Sequence, residues 1–437
     1  MPESSYFPPA DPGSSAGVYA LSHPVPAGMR DLLPPEAWRH ADLARRILKA
    51  FELAGYELVV VPLFEFADVV ERGLGGLESH EVLRFVEPES GAVVSLRPDM
   101  TPQVARLLAT RLAAAPPPAR LCYQGSVLRR RQERARRHRQ IPQAGIELIG
   151  REGPVGDLEV LSVAVAALRR TGLVDFTIDL GHARIAAALV EPVEAGRAKE
   201  ILDALEVKDE TEVVRRAERA RLDARALKAL AELPALHGGT EVWSKAESVL
   251  SLTAAEPALR ELKQLWEAAC RAELAPQILV DLGETRDFAY YSGALFQVHA
   301  EGPGRPLGAG GRYDGLLDRF GASRPAVGFA FGLDDVAWAL KRAGLLPSPP
   351  ARVLLGAGAA ELAEKLRAAG IATANAPEGD EGLAYARAWR YSHVLEALAG
   401  EYTLVDSASQ RREPLPKDQS ALVSTLVSRL GISTGGS

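Results

Sequence analysis

The stretch YQGSVLRRRQERARRHRQIPQAGIELIG, at residues 123–150, decides the fold. Together with the preceding ARLC it predicts two strands, at 119–130 and 141–150, joined by a polar, arginine-rich turn, which is the pattern of an antiparallel pair. Gln143 and Glu147 are four residues apart and therefore share one face of the second strand, with Gly145 between them. Gly145 would leave room for a ligand against the backbone. An ordinary polar outer face explains the same spacing equally well.

Segments on either side of this hairpin alternate between helical and strand periodicity. Helical spacing of apolar residues predicts helices at 36–55, 101–114, 157–172 and over much of 184–276. Strand patterns occur at 56–66, 92–98, 175–181, 277–283 and 290–300. A glycine-rich turn at 308–315 then precedes a strand that passes into a helix at 327–344.

Runs of antiparallel-type strands beside segregated helices predict an α+β fold for the main domain. We expect this domain at 26–346, with a helical insertion at about 184–276. The run PSPPA at 347–351 marks the boundary: residues 347–350 form a stiff linker, and a small α/β domain follows at 351–432. Residues 1–25, rich in Pro, Ser, Ala and Gly, predict a disordered tail.

Composition narrows the classes of function. The chain has 437 residues and a formal net charge of −6, so it has no overall basic field for nucleic acid. Cys122 and Cys270 are its only cysteines, and no Cys/His spacing suggests zinc, so we expect a cytoplasmic protein without a disulfide framework, metal or other cofactor. The first 25 residues do not resemble a signal peptide, and no uncharged apolar run is long enough to span a membrane.

Two polar clusters suit recognition of a small ligand. Asp99 and Thr101 follow a strand and could bind an ammonium group, although either could instead cap the next helix. Arg286 begins the run RDFAYYSG, and its guanidinium could clamp a carboxylate. Within that run Tyr290 and Tyr291 should face opposite sides of a strand, which ordinary amphipathic packing also explains.

Two further segments suit anions. Seven arginines crowd residues 129–139 and repel one another, a repulsion that a nucleotide, RNA or an acidic partner would relieve. A solvated face is the alternative. The glycine-rich run GAGGRYDG, at 308–315, matches neither GxGxxG nor a Walker A loop, so either a phosphate or a tight turn explains it.

Taken together, these segments resemble the catalytic domain of histidyl-tRNA synthetases, a class II family, from about residue 25 to 344. The matching runs, in family order, are GMRD at 28–31, VVVPLFE at 59–65 (motif 1), residues 124–150 (motif 2), RDFAYYSG, GAGGRYDG and AVGFAFGLDD at 326–335 (motif 3). The resemblance implies the class II antiparallel sheet flanked by helices. Residues after 350 resemble, more loosely, a shortened anticodon-binding domain.

The resemblance also implies a histidine-binding site. By position, Glu147 and Tyr291 would hold the imidazole. Asp99, Thr101 and Gln143 would hold the amino group, and Arg129 and Arg286 would face the carboxylate. Asp99 is one methylene shorter than the glutamate of the synthetases.

The ATP side departs from the synthetase pattern at three positions. Arg131 replaces the glutamate of motif 2, Asp335 replaces the arginine of motif 3, and Ala289 replaces an aspartate of the first histidine motif. A carboxylate facing triphosphate would repel it. We therefore expect no catalytic residues and no aminoacylation.

Two runs, LRPDMTPQVAR at 96–106 and DLGHARI at 179–185, resemble a non-catalytic branch of this family, the regulatory subunits of short-form ATP phosphoribosyltransferases. That branch implies a homodimer within a hetero-octamer with the catalytic subunit, which it activates and subjects to feedback inhibition by histidine. Two alternatives remain: a histidyl-tRNA synthetase with atypical ATP contacts, and an RNA-binding module that uses the arginine cluster.

Overall fold

The computed structural model describes residues 25–74, 82–129, 138–274, 276–285, 290–347, 351–377 and 382–432. These residues form two compact units, one within Ala20–Leu346 and the other within Pro347–Ser437. No helix in these ranges combines the length and the apolar character needed to cross a bilayer.

The first unit is an α+β structure built around a large mixed sheet. Its elements are α1 (Glu36–Leu53), β1 (Glu57–Leu58), β2 (Phe64–Phe66), α2 (Ala67–Leu74), β3 (Arg84–Val86), β4 (Val93–Leu96), α3 (Thr101–Thr110), β5 (Ala119–Leu128), β6 (Gln140–Ile149), α4 (Val155–Thr171), β7 (Thr177–His182), α5 (Ala183–Val190), α6 (Ala195–Glu206), α7 (Glu210–Arg219), α8 (Ala224–Glu232), β8 (His237–Gly238), α9 (Val242–Leu250), α10 (Glu256–Arg271), β9 (Gln277–Asp281), β10 (Ala294–His299), β11 (Gly308–Arg312), β12 (Ala326–Gly332) and α11 (Leu333–Arg342).

Nine strands form the main sheet in the order β1-β5-β6-β12-β11-β10-β7-β9-β8, and a small sheet has the order β2-β4-β3. The pairs β1–β5 and β7–β9 are parallel, whereas the central pairs from β5 to β7 are antiparallel. The predicted α+β class with an antiparallel sheet is therefore confirmed. Helices α5 to α10 lie between β7 and β9 in the sequence, where a helical insertion is predicted, while β7 and β9 are neighbours in the sheet.

Apolar periodicity explains how the helices cover the sheet. In α1, Leu43, Ile47 and Phe51 recur every four residues and are all buried. Helix α4 is buried on more than one face, because ten of its 17 residues are inaccessible to solvent. Gly172 ends α4 with a φ of 100°, a left-handed conformation that glycine adopts without strain.

The hairpin that decides the fold has the predicted antiparallel register. Tyr123 pairs with Gly145 and Gly125 pairs with Gln143 across β5 and β6. The backbone N–H of Arg129 donates to the carbonyl oxygen of Arg139 at 3.0 Å, which extends the ladder past the ends of both strands. The remaining residues of the arginine cluster, 130–137, lie outside the described residues.

The structure corrects three sequence predictions. The glycine-rich run at 308–315 is not simply a turn: Gly308–Arg312 is strand β11, in the centre of the sheet. A Cβ on Gly310 would overlap the carbonyl oxygen of Gly328, so its glycines permit close strand approach. The strand predicted at 56–66 is two short strands, β1 and β2. The strand predicted from 290 begins only at Ala294.

The second unit begins with alternating strands and helices, as its sequence predicts, and then has three consecutive strands before its last helix. Its elements are β13 (Arg352–Leu355), α12 (Ala363–Ala368), β14 (Ala372–Asn375), α13 (Gly382–Ala388), β15 (His393–Leu398), β16 (Glu401–Asp406), β17 (Arg412–Leu415) and α14 (Gln419–Arg429). The sheet order is β14-β13-β15-β16-β17, with the first three strands parallel and the last two antiparallel to their neighbours. Buried Val353, Leu366 and Leu422 form part of its core.

Candidate functional site

A cavity of about 230 Å³ in the first unit brings together every predicted site residue that the structure describes. Six of the residues that line it are predicted site residues: Asp99, Thr101, Arg129, Gln143, Glu147 and Tyr291. The seventh predicted residue, Arg286, lies outside the described residues. The structure therefore brings six of the seven predicted positions to one cavity, and their role in histidine binding stays a prediction.

Sheet order explains why residues so distant in sequence meet. Gln143 and Glu147 lie on β6, which pairs with β5 on one side and with β12 on the other. Asp99 and Thr101 follow β4 at the start of α3, and Tyr291 precedes β10. The cavity thus lies over the middle of the main sheet, where β5 and β12 fix the backbone of Gln143 and Glu147 from either side.

Glu147 is one of the most enclosed polar residues of the cavity, with 1% of its surface exposed. Its Oε1 accepts hydrogen bonds from Thr101 Oγ1 at 2.7 Å and from the Tyr123 hydroxyl at 3.2 Å. Its Oε2 accepts a hydrogen bond from the Tyr313 hydroxyl. Three hydroxyl donors therefore satisfy a buried carboxylate that would otherwise be costly to desolvate.

The ionisation of these groups reflects burial. Desolvation raises the pKa of Glu147 to about 7, although the hydrogen bonds from Tyr313, Thr101 and Tyr123 oppose the rise. Burial is also the main cause that raises the pKa of the Tyr123 and Tyr313 hydroxyls well above their usual value. The tyrosines consequently remain donors at neutral pH, whereas Glu147 gains or loses its proton near neutrality.

Tyr290 and Tyr291 do not face opposite sides of a strand, contrary to the sequence prediction. They precede β10 and both line the cavity, with ring centroids 4.8 Å apart. The Tyr290 hydroxyl donates to Asp99 Oδ2 at 2.9 Å. The alternation expected for a strand does not apply because neither residue belongs to a strand.

The space predicted over Gly145 is occupied by a protein side chain. A Cβ on Gly145 would lie 2.6 Å from the Tyr123 hydroxyl oxygen and 2.8 Å from the Phe329 carbonyl oxygen. Gly145 therefore admits the ring of Tyr123, its partner across the hairpin, and not a ligand lying on the backbone. With its ring in this position, the Tyr123 hydroxyl is within hydrogen-bond distance of Glu147.

Helix capping, the alternative for Asp99 and Thr101, explains little of their placement. The N-cap of α3 is Met100, and no side chain caps the helix. Asp99 Oδ1 lies 3.4 Å from the backbone nitrogen of Thr101, while the Thr101 hydroxyl donates to Glu147 instead. Gln143 also faces the cavity, and its buried Oε1 has no hydrogen-bond partner among the described residues. An acceptor left open in this way suits an N–H donor.

An ion pair closes another part of the cavity. Arg305 Nε lies 2.6 Å from Asp335 Oδ1, and a terminal guanidinium nitrogen of Arg305 lies 2.5 Å from the same oxygen. Asp335 is 1% exposed, and both residues line the cavity. The negative charge that the sequence places at this position is therefore real, but Arg305 neutralises it locally.

A second cavity, of about 660 Å³, has none of the predicted site residues in its lining. Its buried Arg312 is paired with Asp157 at 2.8 Å and with Asp314 at 2.9 Å, and His182 Nε2 lies 3.2 Å from Glu261 Oε2. Since these charges satisfy one another, the smaller cavity is the better candidate site. Within the described ranges, no group of three or more His, Cys, Asp and Glu side chains is arranged to hold a metal ion.

Sequence reasoning did not identify Tyr123, Tyr313 and Arg305 as residues of the site. Tyr123 lies two strand positions from Gly125 and directly opposite Gly145, so register across the hairpin could have placed it. Tyr313 follows the glycine run. Because that run was interpreted as a turn, the sequence did not indicate which way the Tyr313 side chain points. Arg305 lies in a connection between strands, where no periodicity indicates which way a side chain points.

The chain is similar to proteins named as histidyl-tRNA synthetases and as ATP phosphoribosyltransferase regulatory subunits. A family profile described as "Histidyl-tRNA synthetase" matches residues 28–336. An "ATP phosphoribosyltransferase regulatory subunit" from Anaeromyxobacter sp. (strain Fw109-5) is 44% identical over 333 residues, 75% of this chain and 96% of that relative. Another of the same description, from Moorella thermoacetica, is 40% identical and covers 71% of this chain and 80% of its own.

A solved structure agrees with these sequence relatives. The crystal structure of an "ATP phosphoribosyltransferase regulatory subunit/histidyl-tRNA synthetase" from Bacillus halodurans C matches this chain with a TM-score of 0.75 and 27% identity. The match covers 87% of this chain and 99% of the other. The likeness therefore extends beyond the range of the family profile.

Proposed function

The chain belongs to the ATP phosphoribosyltransferase regulatory subunit family, within the histidyl-tRNA synthetase-like proteins, and on that premise we propose that it is the non-catalytic subunit of a short-form ATP phosphoribosyltransferase. In this role it binds the short catalytic subunit, is required for its activity, and transmits feedback inhibition by histidine at the first step of histidine synthesis. The observation that carries the proposal is a cavity with polar groups suited to an amino acid beside a buried Asp335.

Histidine is the ligand we propose for this cavity. Asp99, Thr101 and Gln143 offer acceptors to its ammonium group, and the open Oε1 of Gln143 supports that assignment. Glu147 accepts from a ring N–H, and Tyr291 lies at the same cavity for the other ring nitrogen. Arg129 lines the cavity and would face the carboxylate. The family resemblance assigns the same role to Arg286, which lies outside the described residues.

We further propose that the chain has no aminoacylation activity. Adenylation requires cationic groups along the phosphates of ATP, where the transition state concentrates negative charge. Asp335 supplies a carboxylate at the corresponding place, and its pairing with Arg305 also removes that arginine from phosphate binding. The other two departures from the synthetase pattern, Arg131 and Ala289, lie outside the described residues.

Co-expression with a short ATP phosphoribosyltransferase catalytic chain tests the partnership. We expect the two chains to co-purify at moderate salt and the catalytic chain to be active only in their complex. Purification of the two chains as separate species, with no change in catalytic rate on mixing, would refute the proposed role.

Calorimetric titration with histidine, with and without the catalytic chain, tests the regulatory site. Histidine inhibits only if its binding free energy differs between two states of the complex, so its affinity should change when the catalytic chain and its substrates are present. If histidine bound with the same affinity in all conditions, its binding would not be coupled to the state of the complex, and the proposed feedback inhibition through this chain would be refuted.

A histidyl-tRNA synthetase is the second candidate function, because the profile of that family covers residues 28–336. Histidine-dependent exchange of pyrophosphate into ATP is the direct assay. A robust exchange rate would favour this candidate over the regulatory role.

We also propose that the chain forms a homodimer within a hetero-octamer with the catalytic subunit. Apolar side chains cluster on the exposed segment 58–66, where Leu58, Val60, Leu63, Phe64 and Phe66 are between 44% and 88% exposed. An apolar patch of this kind on a large surface suits a protein–protein contact, and two copies of one patch suit a two-fold dimer.

A further inference from the structure

The Arg305–Asp335 ion pair lies inside the cavity and not at its rim. Asp335 lies in the first turn of α11 with its carboxylate buried, and Arg305 reaches it from the connection between β10 and β11. A Cβ on Gly332 would lie 2.6 Å from Asp335 Oδ2, so the carboxylate rests directly against that glycine. The pair therefore fills the end of the cavity beside Gly332.

The acidic residues of α11 occupy a place that would otherwise attract anions. The N-terminus of a helix carries a partial positive charge and exposed backbone N–H groups, and it commonly binds phosphate. Here Asp334 and Asp335 lie in the first turn of this ten-residue helix, and each is paired with an arginine, Arg30 and Arg305 respectively. The protein's own carboxylates thus take the favourable position.

The charges around the cavity also disfavour an anion. Its described lining contains three carboxylates, Asp99, Glu147 and Asp335, against two arginines, Arg129 and Arg305. A free amino acid is a zwitterion with no net charge at its backbone groups, whereas a phosphate ester adds up to two negative charges. The repulsion is strong because the cavity is only partly open to water.

We propose that the Arg305–Asp335 pair is a specificity device that restricts this cavity to a free amino acid and excludes ligands bearing phosphate groups. Asp335 acts by occupying the guanidinium of Arg305, so that this cation is not available to an incoming phosphate. Removal of its charge alone leaves Arg305 in the cavity as a cation that phosphate binds. The inference rests on the proposed function only in taking the free amino acid to be histidine.

Calorimetry with three probes tests the device: histidine, inorganic pyrophosphate, and L-histidinol phosphate, which keeps the imidazole and amine but carries a phosphate ester. For the wild type we expect no pyrophosphate binding at millimolar concentration. Asp335→Asn should bind pyrophosphate at least tenfold more tightly and raise the affinity ratio of histidinol phosphate to histidine by at least tenfold. The double variant Arg305→Gln with Asp335→Asn should bind pyrophosphate no more tightly than the wild type does.

Asp334→Asn is the matched control, because it removes the neighbouring charge from a residue that does not line the cavity. It should leave pyrophosphate binding as in the wild type. Gly332→Ala provides a variant with every charge intact. Alanine can adopt the φ of −81° found at Gly332, but the new Cβ would push the Asp335 carboxylate away from its present position. We expect it to bind pyrophosphate at least threefold more tightly than the wild type.

The outcomes separate this inference from the proposed function. Tight histidine binding without any gain in pyrophosphate affinity in the folded variants would overturn the specificity device and leave the regulatory site standing. A gain of equal size in Asp334→Asn would overturn it too, because the effect would then be one of general charge. Gained pyrophosphate binding without histidine binding would support the device and contradict histidine as the ligand.

Discussion

Glu147 shows how one residue can make stability depend on pH. Its pKa rises from 4.5 to about 7 in the folded chain, so the fold favours the protonated carboxyl. The native state then binds more protons than the unfolded state between these two values, and the free energy of unfolding falls as pH rises through that window. The stabilisation is fully present below about pH 4.5 and is lost as pH passes about 7.

We expect the difference in unfolding free energy between wild type and Glu147→Gln to change by roughly 3 kcal/mol between pH 5 and pH 8. Urea denaturation at both pH values measures it, and the contributions of other groups cancel in the difference. A difference that stays constant with pH would mean that Glu147 ionises normally in the folded protein.

The same residue carries the prediction for histidine binding. At pH 8, where Glu147 is mostly ionised, Glu147→Gln should weaken histidine binding more than tenfold, because a hydrogen bond to a charged group contributes about 1.5–3 kcal/mol. Glu261→Gln, the same change in the second cavity, is the control and should leave the affinity unaltered. Unchanged affinity in Glu147→Gln itself would place the regulatory histidine elsewhere, such as at a subunit interface.

At the scale of elements, glycines in β11 and β12 determine how closely the central strands approach. A Cβ on Gly328 would overlap Glu147 Oε2, and one on Gly310 would overlap a backbone carbonyl oxygen. Such overlaps cannot be relieved by a side-chain rotation when the obstacle is backbone, so the strands themselves must move.

Gly310→Ala should therefore lower the free energy of unfolding by about 1–3 kcal/mol. Gly315→Ala is the matched control, since a Cβ there meets nothing within 4 Å. Thermal and urea unfolding of both variants compare the two positions. Equal effects at Gly310 and Gly315 would contradict the close approach.

Elements with strong periodicity were predictable, whereas those shaped by neighbouring strands were not. The buried apolar face of α1 and the β5–β6 hairpin can both be predicted from the local sequence pattern alone, and the structure confirms both. Gly308–Arg312 looks like a turn because four of its residues are glycine or alanine; only the adjacent β12 shows why small residues are needed in a strand. Six site residues came from family resemblance, and spacing alone left each with an ordinary structural explanation.

At the scale of the whole molecule, the exposed apolar segment 58–66 is the surface through which we propose that the chain associates. In the proposed homodimer, Val60, which is 88% exposed in the single chain, would become buried against the second copy. Val207 is also highly exposed, at 73%, but it lies at the end of α6 in the helical insertion.

Val60→Glu should weaken the homodimer at least tenfold, because a carboxylate buried at an apolar interface is strongly unfavourable. Val207→Glu makes the same change away from the patch and should leave the dimer intact. Sedimentation equilibrium of both variants measures the dissociation constants. An unperturbed dimer in Val60→Glu would assign the interface to another surface.

The three hydroxyls around Glu147 come from separate parts of the chain: Thr101 from α3, Tyr123 from β5 and Tyr313 from the residue after β11. An ionised carboxylate has about four lone-pair positions, so only one stays vacant for a guest. An imidazole presents a single N–H in a given direction and matches that vacancy. A guanidinium, with its paired donors, would have to evict a hydroxyl, so arginine should be a poor substitute for histidine.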